Sequence, residues 1–249
     1  MISLEKEVQK IVSWLREKVE EAHVKGLVVG VSGGLDSAVV AYLMKRAFPD
    51  HSLGVIMPIQ STEDDLKDAY EVVEKNAMEY VTADLTSTHT TCLQTIIQSD
   101  PGLENVNNDV MRMADANLRA RLRMSTLYTY ATLHNYLVVG TDNKSEYYTG
   151  YFTKYGDGGV DLLPIVDYTK TEIWEMARVL GVPQVVIDKK PSADLWEGQT
   201  DEEEMGTSYT HIDAFLEGRE VPAEDAQVIQ AMHTKTAHKR EIPAKYTRH

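Results

Sequence analysis

Apolar and polar positions follow two rhythms along this chain. Leu4, Val8, Ile11, Val12, Leu15 and Val19 recur at helical spacing and predict an amphipathic first helix with charges on its far side. Short apolar runs predict strands at Leu27 to Val31, Leu53 to Met57, Tyr80 to Ala83 and Leu137 to Gly140. A fifth, short strand is expected over Leu162 to Val166, interrupted by Pro164. Helices are predicted between them: Ala38 to Ala47, a segment capped by Thr62 and running to Asn76, and a long one from Asp109 to His134. Thr169 to Glu172 has capping-box spacing, and Ile173, Ala177 and Leu180 carry that helix to Gly181-Val182-Pro183. Acidic Asp201 to Glu204 reads as the opening of another helix, marked by Ile212, Phe215 and Leu216, and Ala223 to Thr234 forms one more. Ser99 to Asn108 reads as a polar loop. Strands alternating with helices predict an α/β fold: a doubly wound, parallel five-stranded sheet with extra C-terminal helices, binding ligands beyond the carboxyl ends of its strands.

Size and charge narrow the picture. With 249 residues, one domain spanning 1–249 is expected. The formal net charge of −14 repels polyanions and argues against nucleic acid as the main partner, while leaving room for small anions in a local basic pocket. Cys92 is the single cysteine, so neither an intrachain disulfide nor a cysteine-based metal site is available, which fits a reducing compartment. No apolar run has the length of a membrane span and no signal-peptide pattern is present, so a cytoplasmic protein without a membrane partner is expected.

The candidate chemistry starts at Gly30-Val31-Ser32-Gly33-Gly34-Leu35-Asp36-Ser37, a glycine-rich turn from a strand into a helix. Such a turn presents backbone N–H groups at a helix N-terminus and makes a phosphate cradle. It has neither the dinucleotide fingerprint nor the Walker lysine. Its plainer alternative is a glycine turn in which Asp36 and Ser37 cap the helix. Thr141-Asp142-Asn143-Lys144-Ser145-Glu146 crowds polar groups at the carboxyl end of the fourth strand. Gly150 to Asp161 combines glycines with aromatics and reads as a ligand-facing loop. On the long helix Arg121 shares a face with Asn117, Ser125 and Tyr128 and is a candidate anion contact, whereas Arg119 and Arg123 read as a solvated charged face. Lys170 opposes the helix dipole at a first turn, a cost more easily understood if its ammonium meets an anion. Pro191 to Asp201 is a lid or a loop pinned by Trp196, and Lys235 to Arg240 is a basic tail or a phosphate clamp.

The glycine turn resembles the pyrophosphate loop of the ATP pyrophosphatases, which cleave ATP between its α and β phosphates and share an adenine nucleotide alpha hydrolase-like fold. Val139 to Glu146, the Phe-Thr-Lys-Tyr-Gly-Asp-Gly-Gly run from Phe152 to Gly159, Pro191-Ser192-Ala193-Asp194-Leu195 and His238-Lys239-Arg240 together resemble NAD synthetase along nearly the whole chain. That resemblance implies a two-step reaction in which ATP adenylates the carboxylate of deamido-NAD, releasing pyrophosphate, and ammonia then displaces AMP. It implies phosphate binding by Gly30 to Ser37, Mg²⁺ ligation by Asp36 and Glu146, and ATP contacts from Thr141, Lys170 and Ser192, the last replacing a threonine common in relatives. Arg121, Lys154, Asp161, His238 and Lys239 match deamido-NAD contacts. Asp36 and Lys170 then serve the adenylation, and Asp157 is the candidate for handling ammonium. A homodimer with the dinucleotide near its interface is implied as well.

The glutamine-hydrolysing domain of some relatives does not fit this length, so the nitrogen is expected as ammonia, free or delivered by a separate protein. Two rivals stand beside this reading. A tRNA-modifying adenylating enzyme would carry a basic surface and sulfur-handling cysteines. An inactive nucleotide-binding module would be expected to lose the carboxylates at Asp36 and Glu146, and both are present.

Overall fold

The computed structural model describes residues 4–61, 63–191 and 200–248, with backbone only at 64, 65 and 104. Thr62, Ser192 and Trp196 therefore lie outside the described residues. The chain runs α1 (Leu4–Glu21), β1 (Gly26–Gly30), α2 (Leu35–Ala47), β2 (Ser52–Ile56), α3 (Glu63–Lys75), β3 (Glu79–Thr82), α4 (Thr86–Ser99), α5 (Asn108–His134) and β4 (Tyr136–Val138). It continues through α6 (Lys144–Thr149), α7 (Lys170–Leu180), α8 (Gln184–Asp188), α9 (Asp201–Met205), α10 (Tyr209–Leu216), α11 (Ala223–Lys235) and α12 (Ala237–Arg240).

The sheet is parallel, in the order β3-β2-β1-β4. Its two central strands are apolar on both faces because both are covered. Leu27, Val29 and Val31 point into a core shared with α1, α2 and α7, while Val28 faces the other way, with Leu53, Val55 and Val138, toward Ala131 and Leu127 of α5. The side-chain period of two thus divides a single apolar run between two cores.

The described residues contain four strands rather than the five expected. Leu162 makes only an isolated parallel bridge to Val139, with the Gly140 amide donating to the Leu162 carbonyl at 2.8 Å. Pro164, two residues on, has no N–H to continue a ladder. Helix α4 was not legible, because Thr-Ser-Thr-His-Thr-Thr is poor in strong helix formers and its N-cap, Leu85, makes no side-chain cap. The polar stretch after it contains a 3-10 turn, Pro101–Asn105, capped by Asp100.

The order of the strands fixes where ligands fit. From β1 the chain builds β2 and β3 to one side, then returns through α5 to place β4 on the other. The crevice beyond the carboxyl ends of β1 and β4 is the topological switch point of the sheet. A separate small core of Met205, Tyr209, Ile212 and Ile229, with Tyr148 and Tyr151 against it, fastens α9, α10 and α11 to α6 beside that crevice.

Close approach of β1 to the segment before β2 depends on Gly26, where an added Cβ would lie 2.1 Å from the His51 carbonyl oxygen. Gly26→Ala is expected to destabilise the protein by about 2 kcal/mol through overpacking. A thermal melt unchanged from the parent would contradict that.

Candidate active site

The glycine turn leaves β1 at Gly30 and enters α2 at Leu35. Gly33 takes φ +84°, a left-handed conformation that a side chain would strain. Ser37 Oγ donates to the Gly34 carbonyl at 3.0 Å and receives the Ser32 amide at 3.3 Å, which ties the turn to the first helical residues. The N-cap of α2 is Gly34 and no side chain caps it, so the first N–H groups of the helix are free to meet an anion. The capping alternative for Asp36 and Ser37 does not hold. Asp36 points across the crevice instead.

There it meets the end of β4. Asn143 caps α6, its Oδ1 receiving the amides of Ser145 and Glu146, while Glu146 reaches back to the Asn143 amide at 3.2 Å. The same Asn143 donates through Nδ2 to Asp36 Oδ1 at 2.9 Å. Lys170, only 2% exposed, donates Nζ to Asp36 Oδ2 and, at 3.3 Å, to Glu146 Oε1. Its ammonium also lies 4.7 Å from the centre of the Tyr209 ring. Burial would draw the Lys170 ammonium down, but the carboxylates of Asp36 and Glu146 outweigh it and hold it above the usual lysine range. Burial and the neighbouring Asp36 carboxylate push the Glu146 carboxyl up to about 7, with Lys170 pulling the other way.

The Lys170 paradox at the start of α7 resolves through Asp213. This carboxylate, 1% exposed, receives the Thr171 amide at 2.9 Å, the Lys170 amide at 3.4 Å and the hydroxyls of Thr171 and Ser145. It puts negative charge at the positive end of α7 and binds α7, α6 and α10 to one another. A second tier surrounds the lysine: Tyr209 donates at 3.0 Å to both Glu146 Oε1 and Asp201 Oδ2, and Tyr151 donates to Asp201 and Glu204. Asp201, read from sequence as a helix opener, faces inward, and its burial raises its carboxyl.

Asp36, Glu146, Tyr151, Lys170, Asp201 and Glu204 line a cleft of about 760 Å³ that also contains Thr141, Asp142, Asp157, His238 and Lys239. Asp157, an exposed residue of the cleft lining, receives the Thr153 amide on Oδ1 at 3.0 Å. A second cleft, about 560 Å³, lies against the first and contains Lys154, Asp161 and Lys239. Asp161 is held by the Tyr128 hydroxyl and the Val138 amide, Lys154 donates to the His238 carbonyl, and Lys239 donates to the Gly150 carbonyl at 2.7 Å. Arg121 stands outside the lining of both, exposed, with its guanidinium 3.4 Å from the Lys154 carbonyl. Ser192 lies outside the described residues.

Arg119 and Arg123 are not a solvated face. Arg119 bonds Asp115, the Ile59 carbonyl and Gln60, and Arg123 donates to the Met57 carbonyl at 3.0 Å. They staple α5 to the chain leaving β2. A wheel shows which side chains share a face but not which carbonyls end nearby, so periodicity had no means of finding this.

The family follows from the comparisons. Residues 7–243 match the family model described as NAD synthase. The chain belongs to the NAD synthase family. It is 54% identical over 241 residues to the NH(3)-dependent NAD(+) synthetase of Alkaliphilus oremlandii, covering 97% of this chain and 96% of that one. The corresponding protein of Carboxydothermus hydrogenoformans is 48% identical, with 97% of each covered. Among solved structures, the NMN synthetase of Francisella tularensis superposes with a TM-score of 0.92 at 38% identity, covering 99% of both chains. The NH3-dependent NAD synthetase of Campylobacter jejuni gives 0.78 at 30% identity, covering 99% of this chain and 100% of that one. The glycine turn, the β4 end and the Gly150 to Asp161 loop thus stand in an NAD synthase fold.

Asp213 supports this family site from outside it. Asp213→Ala leaves buried donors on α6 and α7 without an acceptor and is expected to cost about 3 kcal/mol. For a chain this long that lowers the melting temperature by about 6–12 °C, measurable by circular dichroism; a melt within experimental scatter of the parent would remove Asp213 from this role.

Proposed function

We propose that this chain is an ATP-dependent, ammonia-using amide ligase that converts deamido-NAD to NAD, with release of AMP and pyrophosphate. One observation carries the reading: Asp36 and Glu146, from the ends of β1 and β4, meet at Lys170 beside a loop of open backbone amides. A carboxylate is a poor acyl donor because its leaving group is oxide, so an adenylating enzyme must bring together three charged species at one phosphorus. Positioning and charge neutralisation supply most of such a rate.

In this reading Gly30 to Ser37 receive the pyrophosphate portion of ATP through main-chain N–H groups, with Thr141 and Ser192 contacting the nucleotide. Lys170 keeps Asp36 and Glu146 in register across the crevice and lends positive charge to phosphate. Among the described residues no cluster of three or more His, Cys, Asp or Glu side chains is placed to hold a metal. A pair of hard carboxylates beside a phosphate site suits Mg²⁺, which takes one or two carboxylates and completes its shell with phosphate oxygens and water. When bound, Mg²⁺ offsets charge on the departing pyrophosphate. Lys154, His238 and Lys239, gathered where the two clefts meet, are the contacts for the dinucleotide, with Arg121 and Asp161 at its margin. Asp157 faces the space in which ammonia must approach the acyl adenylate.

A second acceptor is favoured by one finding. The superposition on an NMN synthetase, at 0.92, exceeds that on the Campylobacter NAD synthetase, at 0.78. Nicotinate mononucleotide presents the same carboxylate without the adenylyl half, so the same adenylation and amidation would apply to it. We further place the enzyme in the cytoplasm as a homodimer, with ammonia free or handed over by another protein. Ile96, Val110, Met113 and Leu133, exposed on α4 and α5, suit burial against a second copy.

Incubation with ATP, ammonium and either deamido-NAD or nicotinate mononucleotide tests the assignment. Stoichiometric AMP, pyrophosphate and amide are expected with deamido-NAD; a kcat/KM higher for the mononucleotide would shift the assignment to that acceptor, and no ATP turnover with either would end it. Asp36→Asn should lower adenylation about 100-fold or more while leaving the circular dichroism spectrum unchanged. Near-normal turnover would take Asp36 out of the metal site.

A further inference from the structure

Helix α10 reaches the charged site at two points. Tyr209 and Asp213 stand four residues apart and so share one face of the helix. From that face Asp213 receives the main-chain amides of Lys170 and Thr171 and the hydroxyl of Ser145, the residue before Glu146. It holds the backbone from which two charged side chains depart. Tyr209 meets the same two side chains at their far ends. Its hydroxyl lies 3.0 Å from Glu146 Oε1, and the centre of its ring lies 4.7 Å from the Lys170 ammonium.

Packing alone does not call for that hydroxyl. Tyr209 is 1% exposed and sits among Met205, Ile212 and Ile229, where a phenylalanine would bury the same ring with no polar atom to satisfy. Nor does Tyr209 line either cleft, so whatever it does for a ligand it does through its neighbours.

The lone pairs of Glu146 indicate what that is. An ionised carboxylate offers about four acceptor sites, two on each oxygen. Oε1 spends both, one on Tyr209 and one on Lys170 at 3.3 Å, whereas Oε2 takes only the Asn143 amide among the described residues. The hydroxyl therefore closes one oxygen and leaves acceptor capacity on the other. Without it, Oε1 is held by one long contact, and the carboxylate is free to turn with the ammonium. The hydroxyl is shared with Asp201 Oδ2, also at 3.0 Å, and Asp201 keeps the Tyr151 hydroxyl when Tyr209 is cut back.

We propose that Tyr209 is a positioning residue for adenylation: from α10 it fixes Glu146 and Lys170 against one another, so that the open oxygen of Glu146 is presented to the divalent ion. The inference rests on the ligase reading above and concerns the carboxylate which that reading gives to Mg²⁺.

Tyr209→Phe removes the hydroxyl and keeps the ring beneath Lys170. The test uses the full-length protein with α,β-methylene-ATP, which is not cleaved at the α–β position, and follows Mn²⁺ binding by electron paramagnetic resonance. Mn²⁺ should bind about fivefold or more weakly to the variant, the loss of one hydrogen bond to a charged group. The circular dichroism spectrum should match the parent's. ATP–pyrophosphate exchange with the acceptor should fall at low Mg²⁺ and recover as Mg²⁺ is raised, while KM for the acceptor stays within about twofold. A general loosening of the fold would weaken metal and acceptor alike and would not answer to added Mg²⁺. Mn²⁺ affinity equal to the parent's, or an acceptor KM raised as far as the metal constant, would overturn the proposal. So would a variant that does not fold, since the hydroxyl would then be a strut of the structure. If the parent itself binds no Mn²⁺ with the nucleotide analogue, the assignment of Asp36 and Glu146 to a metal falls first, and this inference with it.

Discussion

A single buried ammonium holds this site together. Lys170 comes from the first turn of α7, Asp36 from the first turn of α2 and Glu146 from the first turn of α6, and no two of them share an element. Without the lysine, two partly buried carboxylates would face each other across a crevice of low polarisability. Removing one partner from a buried ion pair typically costs about 3–5 kcal/mol, because the remaining charge keeps its desolvation penalty. The crevice keeps its shape because its charges offset one another, and Asn143, Tyr209 and Asp213 satisfy the remaining hydrogen-bonding capacity around them.

The same arrangement suits phosphoryl chemistry. Negative charge from the carboxylates sits to one side of the glycine turn, and the open amides of α2 supply partial positive charge on the other. A polyphosphate laid along the turn meets donors, while a divalent ion beside it meets acceptors. The net charge of −14 is therefore no obstacle to an anionic substrate. What matters within a Debye length of the phosphate is the local pattern, and at longer range the acidic surface disfavours polyanions such as RNA.

Much of this was legible in the chain. The central strands and α1, α2, α5 and α7 follow from apolar spacing and capping residues, since those elements are long or flanked by strong signals. The glycine turn was legible because its spacing is distinctive, and Gly33 takes a φ of +84° that a side chain would strain. The fifth strand failed at Pro164, where a local backbone defect outweighed an apolar run. Helix α4 was invisible because threonine-rich sequence has little helix preference of its own and is stabilised by packing against α5. Asp213 and the inward role of Asp201 are not legible in a local window, because Ser145, Lys170 and Thr171 for the one and Tyr151 for the other lie 42 to 68 residues away. Arg119 and Arg123 were misjudged for the same reason.

The sequence separations have a consequence for how the molecule comes into being. Asp36 waits 134 residues for Lys170, and the helix that carries Lys170 waits a further 42 or 43 for Asp213. Contacts of such span close late, because the intervening chain must first be ordered. On a ribosome, the glycine turn emerges early with the Asp36 carboxylate unmatched, and the crevice cannot lock until α10 has left the exit tunnel. The C-terminal helices are thus the clasp that shuts a pocket begun at the end of β1, and a chain cut short before α10 would lack the Asp213 acceptor that ties α7 to α6.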